Sequence, residues 1–345
     1  MPDDQIREQS SRQGQETSPH EQLIHLTMGI AQTHALSLAA ELGVVDLLKN
    51  GAKDVSSLAH ESGTRPEIMA RLINCLVQMG ILERAEAGRY RTTPLGDQLR
   101  VDAPSGLRNF AMLMGADYFA RVWPRLSRTA RSGVDPFKEE WGTSYYEYLP
   151  QHPEQAGVFM QAMVELSVTQ GLAMHEVYDF TPYRKIVDVG GGVGGFLATI
   201  LPHLPDARGV LFDLPPMIDQ AQGILDEVVR QRCDLVPGDF LEGVPAGGDL
   251  YVIKSVLMDR PDDEAITILS NIRAAVAPGG KLLVADPDLE AVAGTLVDML
   301  MLLIGGGRLR TDEEMRAVFD KAGFTLSASM STESTVRIWE GTPTG

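Results

Sequence analysis

The sequence predicts an α/β protein in two parts: an all-helical, winged-helix-like N-terminal lobe, then a nucleotide-type lobe with a parallel sheet. Three observations predict it. From Glu21 to about Met79 apolar residues recur at helical spacing; beyond Tyr183 short β-branched runs alternate with helix-length segments; and the first of those runs empties into a glycine loop at 190–195. At 345 residues the chain exceeds one ordinary core, and its 44 % apolar fraction supplies side chains for more.

Residues 1–18 are polar and read as a disordered tail without the charged, apolar and small-residue order of a secretory signal. Residues 19–104 make the winged-helix-like domain. "IAQTHALSLAAELGVVDLL" is a helix closing near Gly51; Asp54 opens a short helix that Gly63 closes; Thr64, Pro66 and Glu67 form a capping-box start for a helix that runs to Gly80. A small hairpin follows, turning at Ala87-Gly88. The would-be recognition helix sets only Arg65 and Arg71 against Glu67 and is otherwise Ile68, Met69, Leu72, Ile73, Leu76 and Val77. Such a face belongs in a core or against a second copy of the chain, so the lobe reads as a dimerisation domain and not as a DNA reader.

Residues 105–178 form a further helical block, a linker and pocket lid, broken at Gly133–Pro136 and around Pro150–Pro153. Residues 179–345 carry the alternating strands "KIVDVGGG", "ARGVLFDLP", "CDLVPGDF", "GDLYVIKSVLMD" and "GGKLLVADPDL". A net charge of −17 argues against nucleic-acid and anionic-membrane partners, because phosphate surfaces need clustered Lys and Arg. No apolar run approaches the ~18 residues of a membrane span. Cys75 and Cys233 are far apart and each sits in an apolar segment, so they read as reduced core thiols of a cytoplasmic protein, and no metal set is indicated.

The glycine loop carries most of the functional information. Strand Ile186–Val189 runs into it, and the helix beginning at Phe196 points its N-terminus at whatever is bound. Gly190, Gly192 and Gly195 satisfy G-x-G-x-x-G, so a dinucleotide remains open. Asp213 ends the next strand, where a carboxylate can accept two ribose hydroxyls; Asp239 and Phe240 close the third, offering an acceptor and a ring for an adenine. Lys254 ends the fourth, within reach of a cofactor carboxylate or the adenine rim. No arginine directly follows Asp213 to receive a 2′-phosphate.

Asp188-Val189-Gly190-Gly191-Gly192, Phe212-Asp213-Leu214-Pro215, Gly238-Asp239-Phe240, Pro278-Gly279-Gly280 and Gly306-Gly307-Arg308 together resemble the S-adenosylmethionine-dependent small-molecule O-methyltransferases. These are the caffeic-acid-type plant enzymes and their bacterial antibiotic-pathway relatives, and the likeness covers nearly all of the chain past Glu21. It implies a Rossmann-like class I methyltransferase domain, S-adenosyl-L-methionine as cofactor, a small-molecule substrate of secondary metabolism, and a homodimer in which each N-terminal lobe closes the partner's pocket. Cofactor positions implied by the resemblance are Met163, Gly190, Asp213, Asp239, Phe240 and Lys254.

The sequence departs from that family at its catalytic positions. Where leucine-histidine-aspartate-tryptophan is usual, Leu257-Met258-Asp259-Arg260 stands, and the two accompanying glutamates read Asp286 and Leu309. No histidine follows His203. Asp259 is the nearest polar replacement, although neighbours in an extended segment point to opposite sides. Asp262, Asp263 and Glu264 suit the first turn of a helix after Pro261. Met258, Asp259 and Asp286 are therefore the expected catalytic positions. Arg308 is expected beside the acceptor, and Met160 and Met301, with Met112, Met163, Met258 and Met299, along an apolar pocket. Methylation without an imidazole is the expected chemistry; a tailoring enzyme that keeps the cofactor only as a bound cation is the alternative, and a nicotinamide-dependent reductase a more remote one.

Overall fold

The structure is a computed structural model that describes residues 18–345, so the expected tail at residues 1–17 lies outside the described residues. Ser18, placed in that tail on sequence, belongs to the first helix. Its Oγ accepts from Glu21 N at 3.3 Å while the Glu21 carboxylate accepts from Ser18 N at 3.0 Å, a reciprocal cap on Pro19–Thr27. The chain divides into two compact units between Val101 and Asp102. The helical block expected as a separate segment is thus part of the second unit.

The first unit holds helices Pro19–Thr27, Gly29–Glu41, Val44–Leu47, Val55–Glu61 and Pro66–Gln78, then a hairpin of β1 (Leu82–Arg84) and β2 (Tyr90–Thr92). The long helix expected up to Gly51 breaks at Gly43, which takes φ 63° and starts a new turn. Asp54 caps as expected, accepting from Ser57 N at 2.8 Å. The capping box expected at Thr64 does not form: Arg65 is the capping residue, without a side-chain bond, and Thr64 Oγ1 lies 2.9 Å from Ser62 Oγ. The helix starts one residue later than the box requires, which puts Glu67 at its second position and not its third. Met69, Leu72, Ile73 and Leu76 are buried in the core of this unit.

The second unit is built on a seven-stranded sheet: β3 (Lys185–Val189), β4 (Arg208–Asp213), β5 (Cys233–Pro237), β6 (Leu250–Lys254), β7 (Lys281–Pro287), β8 (Phe324–Ser331) and β9 (Val336–Pro343), in the order 5-4-3-6-7-9-8. β3 to β7 are parallel; β9 runs antiparallel to β7, pairing Trp339 with Val284, and β8 closes the edge. The sequence reading reached the five parallel strands and missed the final hairpin. Alternate residues of each strand feed opposite faces. Ile186, Leu211 and Val252 pack with Phe196 and Leu197 on one side, and Val187, Val210 and Ile253 with Leu269 and Phe319 on the other. Cys75 and Cys233 are both free. Among the described residues no helix is long and apolar enough to cross a membrane.

The helical block is organised by Pro153–Val177, a 25-residue helix lying against the helix that follows the glycine loop. Its N-terminal half joins an aromatic cluster in which Phe137 stands edge-on to Tyr145 and Tyr148, and Tyr145 edge-on to Phe159.

Candidate active site

β3 and β6 are neighbours whose chains continue in opposite directions across the sheet, to β4 on one side and β7 on the other. The carboxyl ends of those two strands therefore flank a switch-point crevice, the usual ligand position in such sheets. The five acidic or cationic side chains that sequence placed at strand ends (Asp213, Asp239, Lys254, Asp259 and Asp286) all lie on this second unit.

On the β3 side the backbone makes the site. Gly190, Gly192 and Gly194 have φ of 69°, 60° and 90°, which only glycine adopts without strain. A Cβ on Gly192 would meet nothing within 4 Å, leaving open approach to that peptide, whereas a Cβ on Gly190 would sit 2.8 Å from Val256 Cγ2 and 3.4 Å from the Phe240 ring. The helix begins at Gly195, one residue earlier than expected, and packs its first turn on Ser167. Asp213 accepts from Gly192 N and Leu214 N, each at 2.7 Å, so it tethers the loop while keeping further lone pairs for a ligand. Burial raises its pKa, and those two backbone bonds hold it down. Asp239 accepts from Leu241 N at 2.8 Å, and the Phe240 ring carries the Arg260 guanidinium 5.4 Å above its centroid.

Lys254 has a role that sequence did not assign. Its ammonium donates to Ser167 Oγ and Gln170 Oε1, both at 3.1 Å, and so ties the long helix to the sheet. Burial lowers its pKa, against the charges of Asp188 and Asp286 that raise it. Those two carboxyls are themselves buried, and Oδ2 of Asp188 and Oδ1 of Asp286 lack hydrogen-bond partners. Burial pushes each up to about 7, with Lys254 opposing the rise at Asp188 and Arg310 opposing it most at Asp286. The unpaired oxygen of Asp188 stands where a Cβ on Gly191 would come within 2.4 Å, so a carboxyl backs the glycine loop and suits a ligand that carries positive charge and donates hydrogen bonds, which a sulfonium nucleoside with an ammonium group and ribose hydroxyls does.

The β6 side is made by side chains from far along the chain. Ser255 leaves the strand at φ 55°, an uncommon conformation for a residue with a Cβ, with its N–H donating to Ala285 O at 2.8 Å. That kink leads into a single turn, Leu257–Asp259, which brings Met258 and Asp259 over the strand end, both half-buried. Gly307 lies so close beneath that a Cβ there would stand 2.1 Å from Met258 O. Arg310, 2 % exposed, fastens the turn by donating to Leu257 O, Arg260 O and Asp262 Oδ1 at 2.7, 2.8 and 3.0 Å. Asp259 Oδ2 accepts from the Tyr146 hydroxyl at 2.5 Å, and its Oδ1 is buried without a partner.

Three expectations need correction. Arg308 is not free to address an acceptor: its guanidinium pairs with Asp262 at 3.1 Å and with Glu314, and it is Arg310 that is buried under the turn. Asp262 thereby does more than start its helix. Met301 and Met299 cannot line one pocket, since they lie two residues apart on the Val292–Leu303 helix, Met301 buried and Met299 41 % exposed. Met160 and Met163 divide similarly, Met160 packing toward the sheet and Met163 toward the aromatic cluster, with Met112 half-buried on the Arg108–Met114 helix. Sequence reasoning overlooked Tyr146, Ser167, Gln170 and Arg310. None of the four is marked by its neighbours in sequence: Ser167 and Gln170 are two of several polar residues on their helix, with Gln161, Glu165 and Thr169.

Comparison with known proteins now decides the family. Residues 123–325 match the O-methyltransferase domain, and residues 24–102 match the O-methyltransferase dimerisation domain. The chain belongs to the O-methyltransferase family. A phenazine O-methyltransferase, PhzM of Lysobacter antibioticus, is 34 % identical over 93 % of this chain and 95 % of its own length. Aclacinomycin 10-hydroxylase RdmB of Streptomyces purpurascens is 32 % identical over 94 % and 91 %. The crystal structure of CalO1, a methyltransferase of calicheamicin biosynthesis solved with S-adenosylhomocysteine, superimposes with a TM-score of 0.84 at 28 % identity, covering 95 % of this chain and 100 % of that one. The family is S-adenosyl-L-methionine-dependent, and the crevice described above fits that cofactor.

Proposed function

We propose that this chain methylates a hydroxyl of a phenolic or polycyclic natural product in an antibiotic-type pathway, without a histidine base. The observation that carries the reading is the pairing of an open glycine crevice with a β6 turn where Met258 stands at the family's histidine position. Gly190, Asp213, Asp239, Phe240 and Lys254 would hold the cofactor at the strand ends, with Met163 bordering the methyl group. S-adenosyl-L-methionine supplies a methyl group on a positively charged sulfur. Asp188 and Asp286 present negative potential to that charge, and Lys254 balances theirs. Met258, half-buried on the β6 turn, presents an apolar side chain that keeps water away from the acceptor. Fixing donor and acceptor in line can supply about 7–11 kcal/mol of the barrier, against only ~10²–10⁴-fold from a general base.

A homodimer is part of this reading. Leu23, Ile24, Leu26, Met28 and Ile30 are more than half exposed on the first two helices and the bend between them, an apolar face suited to a second copy. The Lysobacter antibioticus relative is a phenazine O-methyltransferase, which supports an aromatic acceptor here.

Incubating hydroxyphenazines and other polycyclic phenols with methyl-labelled S-adenosyl-L-methionine tests the proposal by mass spectrometry. One labelled methyl per product, with one S-adenosylhomocysteine released, is expected. Product formed without S-adenosylhomocysteine would replace this reading with that of a non-methylating tailoring enzyme, a hydroxylase, decarboxylase or cyclase. The likeness to RdmB and the altered positions Met258, Asp286 and Leu309 are what favour that second reading.

A further inference from the structure

The β6 turn has no imidazole, yet it is not without an acid–base pair. Tyr146 sits on a four-residue helix, Tyr145–Tyr148, whose start is fixed by a capping box between Ser144 and Glu147. The residue is 43 % exposed, while its hydroxyl reaches Asp259 Oδ2 at 2.5 Å. Asp259 offers no surface of its own at Oδ1, which is buried and unpartnered. Tyr146 is thus the more accessible member of the pair, and the carboxylate stands behind it. Tyr145, edge-on to Tyr146 and to Phe159 of the long helix, fixes the ring plane.

We propose that Tyr146 and Asp259 form a two-step proton relay that takes the place of the absent histidine. The inference rests on the methyltransferase reading. As the acceptor oxygen attacks the methyl carbon, an O–C bond forms and the C–S bond breaks, leaving a neutral thioether. The acceptor's proton passes to the Tyr146 oxygen, and the tyrosine's own proton passes to Asp259 Oδ2, so the tyrosine is neutral before and after. The groups facing the pair are Arg260 beside Asp259, Tyr145 beside Tyr146, and Asp286 on β7. Burial raises the Asp259 carboxyl to about 6, offset by the Tyr146 bond and by Arg260, which leaves it ionised at neutral pH and basic enough to receive a proton.

Phenols of graded acidity test this. Y146F and D259N are compared with the wild type on unsubstituted naphthols and on nitro-substituted phenols that ionise unaided near neutral pH. The relay requires both variants to lose about 10²-fold in kcat on the naphthols and less than about threefold on the nitrophenols. The acidic limb of the wild-type kcat profile, falling below about pH 6, disappears in D259N. In Y146F it disappears as well, because the carboxylate is reached only through the tyrosine hydroxyl. Equal losses on all phenols, with an unchanged pH profile, would assign the pair a structural role and overturn the relay alone. No methylation of any phenol by the wild type would overturn the proposed function, and the relay with it.

Discussion

The two sides of the crevice are built on opposite plans. On the β3 side, residues adjacent in sequence make the site: the glycine loop supplies open backbone, and Asp213, 21 positions beyond Gly192, ties it down. On the β6 side, the turn at Leu257–Asp259 is held by Tyr146 from 113 residues upstream, and by Gly307 and by Arg310, 53 residues beyond Leu257. A cofactor shared by a whole family can be met by a local motif. An acceptor particular to one enzyme is met by side chains gathered from separate elements, which can change one at a time.

Glycine substitutions give the largest expected separation of the two plans. A Cβ at Gly191 would lie 2.4 Å from Asp188 Oδ2 and 2.5 Å from Leu211 Cδ1, so G191A should cost ~3 kcal/mol in denaturant unfolding and abolish S-adenosyl-L-methionine binding by calorimetry. At Gly307 the clash is with Met258 O, so G307A should displace the β6 turn and depress turnover at least ~10²-fold while cofactor affinity stays within a few-fold. Loss of cofactor binding in G307A as well would mean that the two sides are not separable.

An intermediate effect concerns pH. Asp286 has a folded pKa of about 7, above its unfolded value near 3.8. Between those values the folded state binds the proton that the unfolded state has released, so this group's contribution to stability falls as pH rises from about 4 to about 7. D286N removes that penalty. It should be more stable than the wild type at pH 8 by on the order of 2 kcal/mol, and no more stable at pH 4. Parallel unfolding curves for the two proteins across that range would show that the carboxyl is not buried as described.

The smallest effect is expected at the position where the family places its base. M258A should change kcat less than tenfold, because a wall residue excludes water but moves no proton. A loss of several thousandfold would give that side chain a part in the chemistry that the Tyr146–Asp259 pair does not.

The same contrast governs how much the sequence disclosed. The β3 loop and the acids at successive strand ends were legible because each lies within a few residues of the strand that places it. Arg308 and Arg310 could not be told apart, since both reach Asp262 and only tertiary packing decides which is buried. Tyr146 carried no signal at all: "TSYYEYLP" reads as an aromatic helix start, and nothing within it points to Asp259. The final hairpin was missed although Val336, Ile338 and Trp339 are buried in β9, because its strands pair antiparallel after the expected βα rhythm has ended.

The short helix that carries Tyr146 is capped by its own serine and glutamate, and its neighbours in chain are a glycine at 142 and a proline at 150. Tyr145 and Tyr148 are locked into the aromatic cluster, so Tyr146 alone can be exchanged without disturbing either the cap or the core. The fold thus leaves one side chain of this helix open to exchange while the nucleoside half of the crevice remains as it is.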